Sequence, residues 1–282
     1  MALTLMYITN NPDVARIAEN NGVQRIWIDL EILGKEERQK NRNTVKSHHT
    51  IEDIRRIAPI LSVSQMMVRV NPWNEASPQE INQVIDAGAE ILMLPMWRTI
   101  QEVEHFIDAV DGRGKISLLL ETKEAAECLD DVLKLQGIDE IHIGLNDLHL
   151  SYNLTFMFEL LANGTVEEIC KKIAAKGLPY GFGGIARLGA GLVPAEMIIM
   201  EHYRLGSTRT ILSRAFCDTI DISNLSGVQQ VFKEHISLLR EFESRIAAMP
   251  KTSMAYNQNK KELAAAVAAV TQKIKTTRGI AE

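Results

Sequence analysis

This chain is poor in the residues that would staple or anchor it. Its three cysteines, Cys128, Cys170 and Cys217, are scattered through 282 residues without a CxxC. That pattern fits reduced thiols and argues against a disulfide framework or a zinc site. Basic residues are dispersed and the net charge is −5. Aromatic residues do not interleave with Lys and Arg, so neither a duplex nor a single-stranded nucleic-acid surface is expected. No stretch approaches the ~18 apolar residues that a membrane-spanning helix requires. The N-terminal segment lacks the charged region and long apolar run of a signal peptide. A soluble, cytoplasmic protein is expected.

What is present is a core and an alternation. With 46% hydrophobic residues the chain can bury a full interior. Short apolar runs at 3–8, 25–30, 66–70, 91–94, 116–120, 140–143, 180–185 and 209–212 read as strands covered on both faces. Helical segments lie between them, several with start signals. Asn11-Pro12-Asp13 and Thr50-Ile51-Glu52-Asp53 open two of them. Ser77-Pro78-Gln79-Glu80 and Thr99-Ile100-Gln101-Glu102 read as capping boxes. Gly22, Gly88, Gly137 and Gly177 end helices or begin the following strand. Eight strands alternating with helices predict a (β/α)8 TIM barrel over residues 1–249. A doubly wound sheet is the rival, but its usual glycine-rich first turn is missing from Ile8-Thr9-Asn10-Asn11-Pro12. Residues 250–282 form a polar linker, at 252–259, and an extra C-terminal helix from Lys260 to about Thr276. Its apolar positions Leu263, Val267, Val270 and Ile274 must pack on the barrel or on a neighbouring subunit.

Two acidic residues stand at the ends of consecutive strands. Glu121 closes the run at 116–120, and Asp147 follows the run at 140–143. Carboxylates at the carboxyl ends of neighbouring parallel strands converge, which is one way to hold a hard divalent cation with positions left for water and substrate. Arg69, ending the third strand, is a second positive group for a developing oxyanion. Its alternative is a structural pair with an acidic neighbour such as Glu31. For each carboxylate alone, a helix cap or an Asx turn is the alternative.

The segments Glu121-Thr122-Lys123-Glu124-Ala125, Ile143-Gly144-Leu145-Asn146-Asp147-Leu148 with Ser151, Val68-Arg69-Val70-Asn71-Pro72, and Gly88-Ala89-Glu90-Ile91 leading to Pro95 carry a resemblance. They are similar to the HpcH/HpaI aldolase and citrate lyase β-subunit superfamily, over about residues 29–194. The resemblance implies a (β/α)8 barrel in which Glu121 and Asp147 bind Mg²⁺ or Mn²⁺. It implies a pyruvate-like substrate chelated through its carboxylate and keto oxygen, and carbon–carbon bond chemistry through an enolate. The backbone N–H groups of Asn146 and Asp147 would hold the substrate carboxylate, and a homo-oligomer is expected.

The chain departs from both branches. The aldolases place a histidine where Asp29-Leu30-Glu31 is followed by Ile32, and a glutamine where Leu119 stands. Asp29-Leu30-Glu31, Lys35, Arg38 and Arg69-Val70-Asn71 look more like the citrate lyase branch, from which Ile32 departs too. A replacement base could be His48 or His49, whose alternative is a solvated lead-in to the helix at Thr50. The run from Gly181 to Gly191, with Gly183, Gly184 and Arg187, suggests anion binding beside the seventh strand; tight strand packing is the alternative. The expectation is a metal-dependent carbon–carbon lyase acting on a 2-oxo acid or related carboxylate. A citryl- or malyl-CoA-type lyase and a catalytically silent barrel binding an acidic metabolite are the alternatives.

Overall fold

The computed structural model describes residues 2–34, 48–213, 216, 223–250 and 253–278. Lys35, Arg38 and Cys217 lie outside these. Eight parallel strands, β1 (Thr4–Ile8), β2 (Arg25–Asp29), β3 (Gln65–Arg69), β4 (Ile91–Leu94), β5 (Lys115–Leu120), β6 (Glu140–Ile143), β7 (Tyr180–Ile185) and β8 (Arg209–Leu212), close into a barrel in chain order. The closing pair sets Thr4 against Arg209 and Met6 against Ile211. The expected (β/α)8 barrel is the observed fold, with every strand within a residue or two of its apolar run. Among the described residues the helices are α1 (Pro12–Asn20), α2 (Ile51–Ile57), α3 (Ser77–Asp86), α4 (Ile100–Val110), α5 (Lys123–Glu127), α6 (Leu129–Val132), α7 (Leu145–Ser151), α8 (Glu159–Ala162), α9 (Thr165–Lys176), α10 (Ala195–Leu205), α11 (Leu225–Ala247) and α12 (Met254–Arg278). None of these is long and apolar enough to cross a membrane.

The apolar runs hide a strict two-face alternation. Leu5, Ile26, Ile28, Val68, Leu92, Leu118 and Leu120 face outward into the main core beneath the helices. Met6, Trp27, Met67, Ile91, Met93 and Leu119 form a separate cluster that fills the barrel. Because both faces are buried, the strand interiors are mostly apolar on successive positions and read as near-continuous apolar segments, with charged residues chiefly at the strand ends.

Most start signals act as expected. Asn11 accepts from the N–H groups of Asp13 and Val14, and Thr50 and Thr99 form reciprocal boxes with Asp53 and Glu102. The box at Ser77 is a correction. The helix begins at Ser77 itself, and no side chain caps it. Ser77 Oγ instead accepts from Asn74 N–H, and Glu80 turns to Asn71, whose Nδ2 donates to it at 2.8 Å. The linker expected at 252–259 is also shorter, since α12 starts at Met254. Polar residues there have specific partners: Tyr256 hydroxyl donates to the Ile246 carbonyl, and buried Asn259 donates to the Met197 carbonyl and to Glu201. Leu263 and Val267 are buried on α10 and α8, so the helix lies on its own barrel.

Candidate active site

The carboxyl ends of β2, β3, β5 and β6 bring Asp29, Arg69, Glu121 and the Gly144–Asp147 turn to one face, where barrels carry their sites. Glu121 is buried, and its Oε1 accepts from Met96 N–H at 3.1 Å. Met96 adopts a left-handed φ of 55°, a strained geometry for a residue with a side chain, which aims this N–H. From the other side comes Gly144, the residue before α7. A Cβ there would meet Glu121 Oε2 at 2.8 Å. Only glycine admits the carboxylate, and Asp147 follows within the first turn of α7. Thr122 caps α5 and donates to the Trp97 carbonyl, while Ser151 Oγ accepts from Lys123 N–H. These bonds tie the segment after Glu121 to the loop before it and to the helix that carries Asp147.

Arg69 is held on three sides. Its Nε and Nη2 fork onto Asp29 at 2.9 and 2.8 Å, Nη2 lies 3.3 Å from Glu31, and the guanidinium sits 5.4 Å over Trp27. The expected alternative, a pair with Glu31, is present alongside a stronger pair with Asp29 that sequence reasoning missed. Burial alone would lower the guanidinium pKa. Asp29, Glu31 and Glu121 outweigh it and raise the value, so Arg69 stays charged and feels Glu121. Nη1 has no hydrogen-bond partner among the described residues.

The two histidines part company. His49 reaches the end of β2, where Asp29 N–H donates to its Nδ1 at 3.0 Å. That bond needs a lone pair on Nδ1 and so puts the ring proton on Nε2. His48 is exposed. His142 lies inside the barrel wall with Nε2 bonded to the Gly183 carbonyl, and burial pushes its pKa down to about 4. His149 is buried, its Nδ1 against the Leu145 carbonyl.

Gly183 and Gly184 belong to β7, where the pairing with β8 shifts register. A Cβ on Gly183, at φ +51°, would meet Leu145 Cδ1 at 2.8 Å. Close packing thus requires a bare Cα at Gly183. Arg187 lies past the strand and is felt by His235 of α11.

A hard divalent cation fits this donor set. Glu121 and Asp147 offer carboxylate oxygens, and the bare Cα of Gly144 keeps Oε2 clear of a side chain. Among the described residues no group of three or more His, Cys, Asp or Glu is arranged as a metal cage. A cation here would thus draw on water and substrate for its remaining positions.

A closed (β/α)8 barrel with ionisable groups at the carboxyl ends of its strands defines a barrel-enzyme architecture. A profile of the HpcH/HpaI aldolase/citrate lyase family matches residues 3–157, more than half the chain. The chain belongs to that family, one of carbon–carbon lyases. A hydroxypyruvate/pyruvate aldolase from Roseovarius nubinhibens (strain ATCC BAA-591 / DSM 15170 / ISM) is 29% identical over 139 residues, covering 37% of this chain and 53% of that protein. The chain thus spans about half the length of this curated relative. Among solved structures, an HpcH/HpaI aldolase from Desulfitobacterium hafniense DCB-2 superposes with a TM-score of 0.55 at 14% identity, covering 88% of this chain and 94% of that one. A family protein from Burkholderia cenocepacia J2315 gives 0.57 at 13% identity, covering 85% and 94%. The citrate synthase SbnG gives 0.55 at 17% identity, covering 75% and 86%. At these identities the structures speak for the fold alone.

Proposed function

We propose that this chain is a divalent-metal-dependent carbon–carbon lyase of the aldolase type, acting on a 2-oxo acid or related carboxylate. The observation that carries this reading is the joint placement of Glu121, the Gly144–Asp147 turn and Arg69, whose charge is coupled to Glu121. Glu121 and Asp147 would hold Mg²⁺ or Mn²⁺, which when bound supplies a Lewis acid for the substrate's keto and carboxylate oxygens.

The chain's own groups orient the substrate and steady its charge. Asp29 and Trp27 fix the guanidinium of Arg69, so Nη1 can meet an oxygen that gains negative charge without reorganising. The N–H groups of Asn146 and Asp147 lie in the first turn of α7, where no carbonyl four residues back serves them, and they face a substrate carboxylate in this reading. His49 carries its ring proton on Nε2 and is not a base while Asp29 N–H holds its Nδ1. Proton abstraction then falls to water or to exposed His48. The reading does not need Gly183, Gly184 or Arg187. Self-association is part of it by family analogy, and light scattering on the full chain tests that.

Exchange of the pyruvate methyl protons in D2O, followed by NMR, tests the chemistry without a partner aldehyde. Exchange should require added Mn²⁺ and vanish in Glu121→Ala and Asp147→Ala. Folded wild type that exchanges no member of a 2-oxo acid panel with either metal would overturn the reading.

A further inference from the structure

The other end of the barrel holds a charge cluster that the mouth does not use. Arg25, Glu140 and Arg209 are the first residues of β2, β6 and β8, and their side chains meet inside the tube. Arg25 Nη1 and Nη2 donate to Glu140 Oε1 and Oε2 at 2.6 and 2.8 Å. Arg209 Nη1 donates to the same Oε2. Both oxygens of the single carboxylate are therefore taken, and two guanidinium charges face one negative charge.

Several facts make this excess consequential. The three side chains are 7%, 9% and 4% exposed for Arg25, Arg209 and Glu140. The Nε–H groups of Arg25 and Arg209 are buried without a hydrogen-bond partner among the described residues. No other acidic side chain bonds to either arginine there. Arginine does not shed its proton in proteins, so the excess cannot be removed by neutralisation. His142, two residues along β6, is held neutral by burial and brings no compensating charge. The position is also built for its occupant: a Cβ on Gly181 would collide with the Arg209 carbonyl and its Cγ, so a bare strand seats that side chain.

We propose that the amino-terminal end of the barrel binds a small monovalent inorganic anion of the chloride class, lodged against the Nε–H groups of Arg25 and Arg209 beside Glu140. A buried positive excess with unused donors is the chemistry that takes an anion from water. Burial of all three side chains selects a halide over sulfate or an organic acid. The anion would complete the plug that closes this end.

Bromide is the probe, since it replaces chloride and scatters anomalously. Crystals of the full chain soaked in sodium bromide should show an anomalous peak within hydrogen-bonding distance of Arg25 Nε or Arg209 Nε. In solution, the wild-type unfolding midpoint should rise with sodium bromide over sodium gluconate at equal ionic strength. Arg209→Met, which balances the charge, should lose both the peak and the shift. Density for water alone at these nitrogens, with equal midpoints in the two salts, would overturn the proposal. A peak that persists unchanged in Arg209→Met would overturn it as well. If that variant does not fold, the wild-type map and salt comparison decide by themselves.

Discussion

The two ends of this barrel are made of the same residue types in opposite balance. At the mouth, Asp29, Glu31 and Glu121 surround one arginine, Arg69. At the closed end, Arg25 and Arg209 surround one glutamate, Glu140. A layer of Met6, Trp27, Met67 and Leu119 separates them. The acid-rich end stands among loops and suits a cation; the base-rich end stands among strand starts and suits an anion. Burial costs both clusters, and the sign of the excess charge is what distinguishes them.

Removing the shared carboxylate at the closed end is the harshest way to break this contrast. Glu140→Ala leaves two buried guanidinium groups without a partner. Chemical denaturation should show a loss of about 3–5 kcal/mol, with Mn²⁺ affinity at the mouth unchanged in the remaining folded protein. Acid is the next probe. Burial holds His142 near pKa 4 and His202 near 3, both below the ordinary 6.5. The unfolded chain therefore binds more protons below pH 6.5, and stability present above that value is lost as pH falls towards 4 and 3. Unfolding free energies measured from pH 7 to 4 should decline by several kcal/mol, about 3 kcal/mol from each histidine. Replacing both histidines with glutamine should flatten that slope.

A gentler test strikes the mouth. Gly144→Ala puts a methyl group 2.8 Å from Glu121 Oε2. Overpacking should cost about 1–3 kcal/mol, and displacement of the carboxylate should weaken Mn²⁺ binding by more than that loss alone accounts for. The mildest change is a surface control. Lys172 pairs with Asp130 at 2.8 Å, but the two side chains are 40% and 66% exposed. Lys172→Ala should shift stability by less than about 0.5 kcal/mol, which would show that position, not pairing, sets the cost at Glu140.

Much of this was legible from composition and order. Parallel strands buried on both faces leave continuous apolar runs, so the strands at 91–94, 140–143, 180–185 and 209–212 carry the expected bounds. Glu121 and Asp147 stand out because a charged residue ending such a run has no core to join. Other features depend on pairing across long separations. The Arg25–Glu140 bond spans 115 residues, and its only trace in sequence is a charged first residue on an apolar strand. The capping box at Ser77 was misread because Asn71 competes for Glu80, and nothing local announces that competitor. The start of α12 moved because Tyr256 and Asn259, polar in sequence, are tied down by the surfaces they meet. The glycines of β7 signalled close approach in either reading; packing, visible only in three dimensions, says what approaches.

The claim that the mouth is a cation site rests on two carboxylates, and calorimetric titration of Mn²⁺ tests it most directly. Wild type should bind one equivalent, more tightly with pyruvate present, and Glu121→Ala and Asp147→Ala should each abolish the binding while keeping the fold. Binding that survives in both variants, or none in folded wild type, would contradict the account.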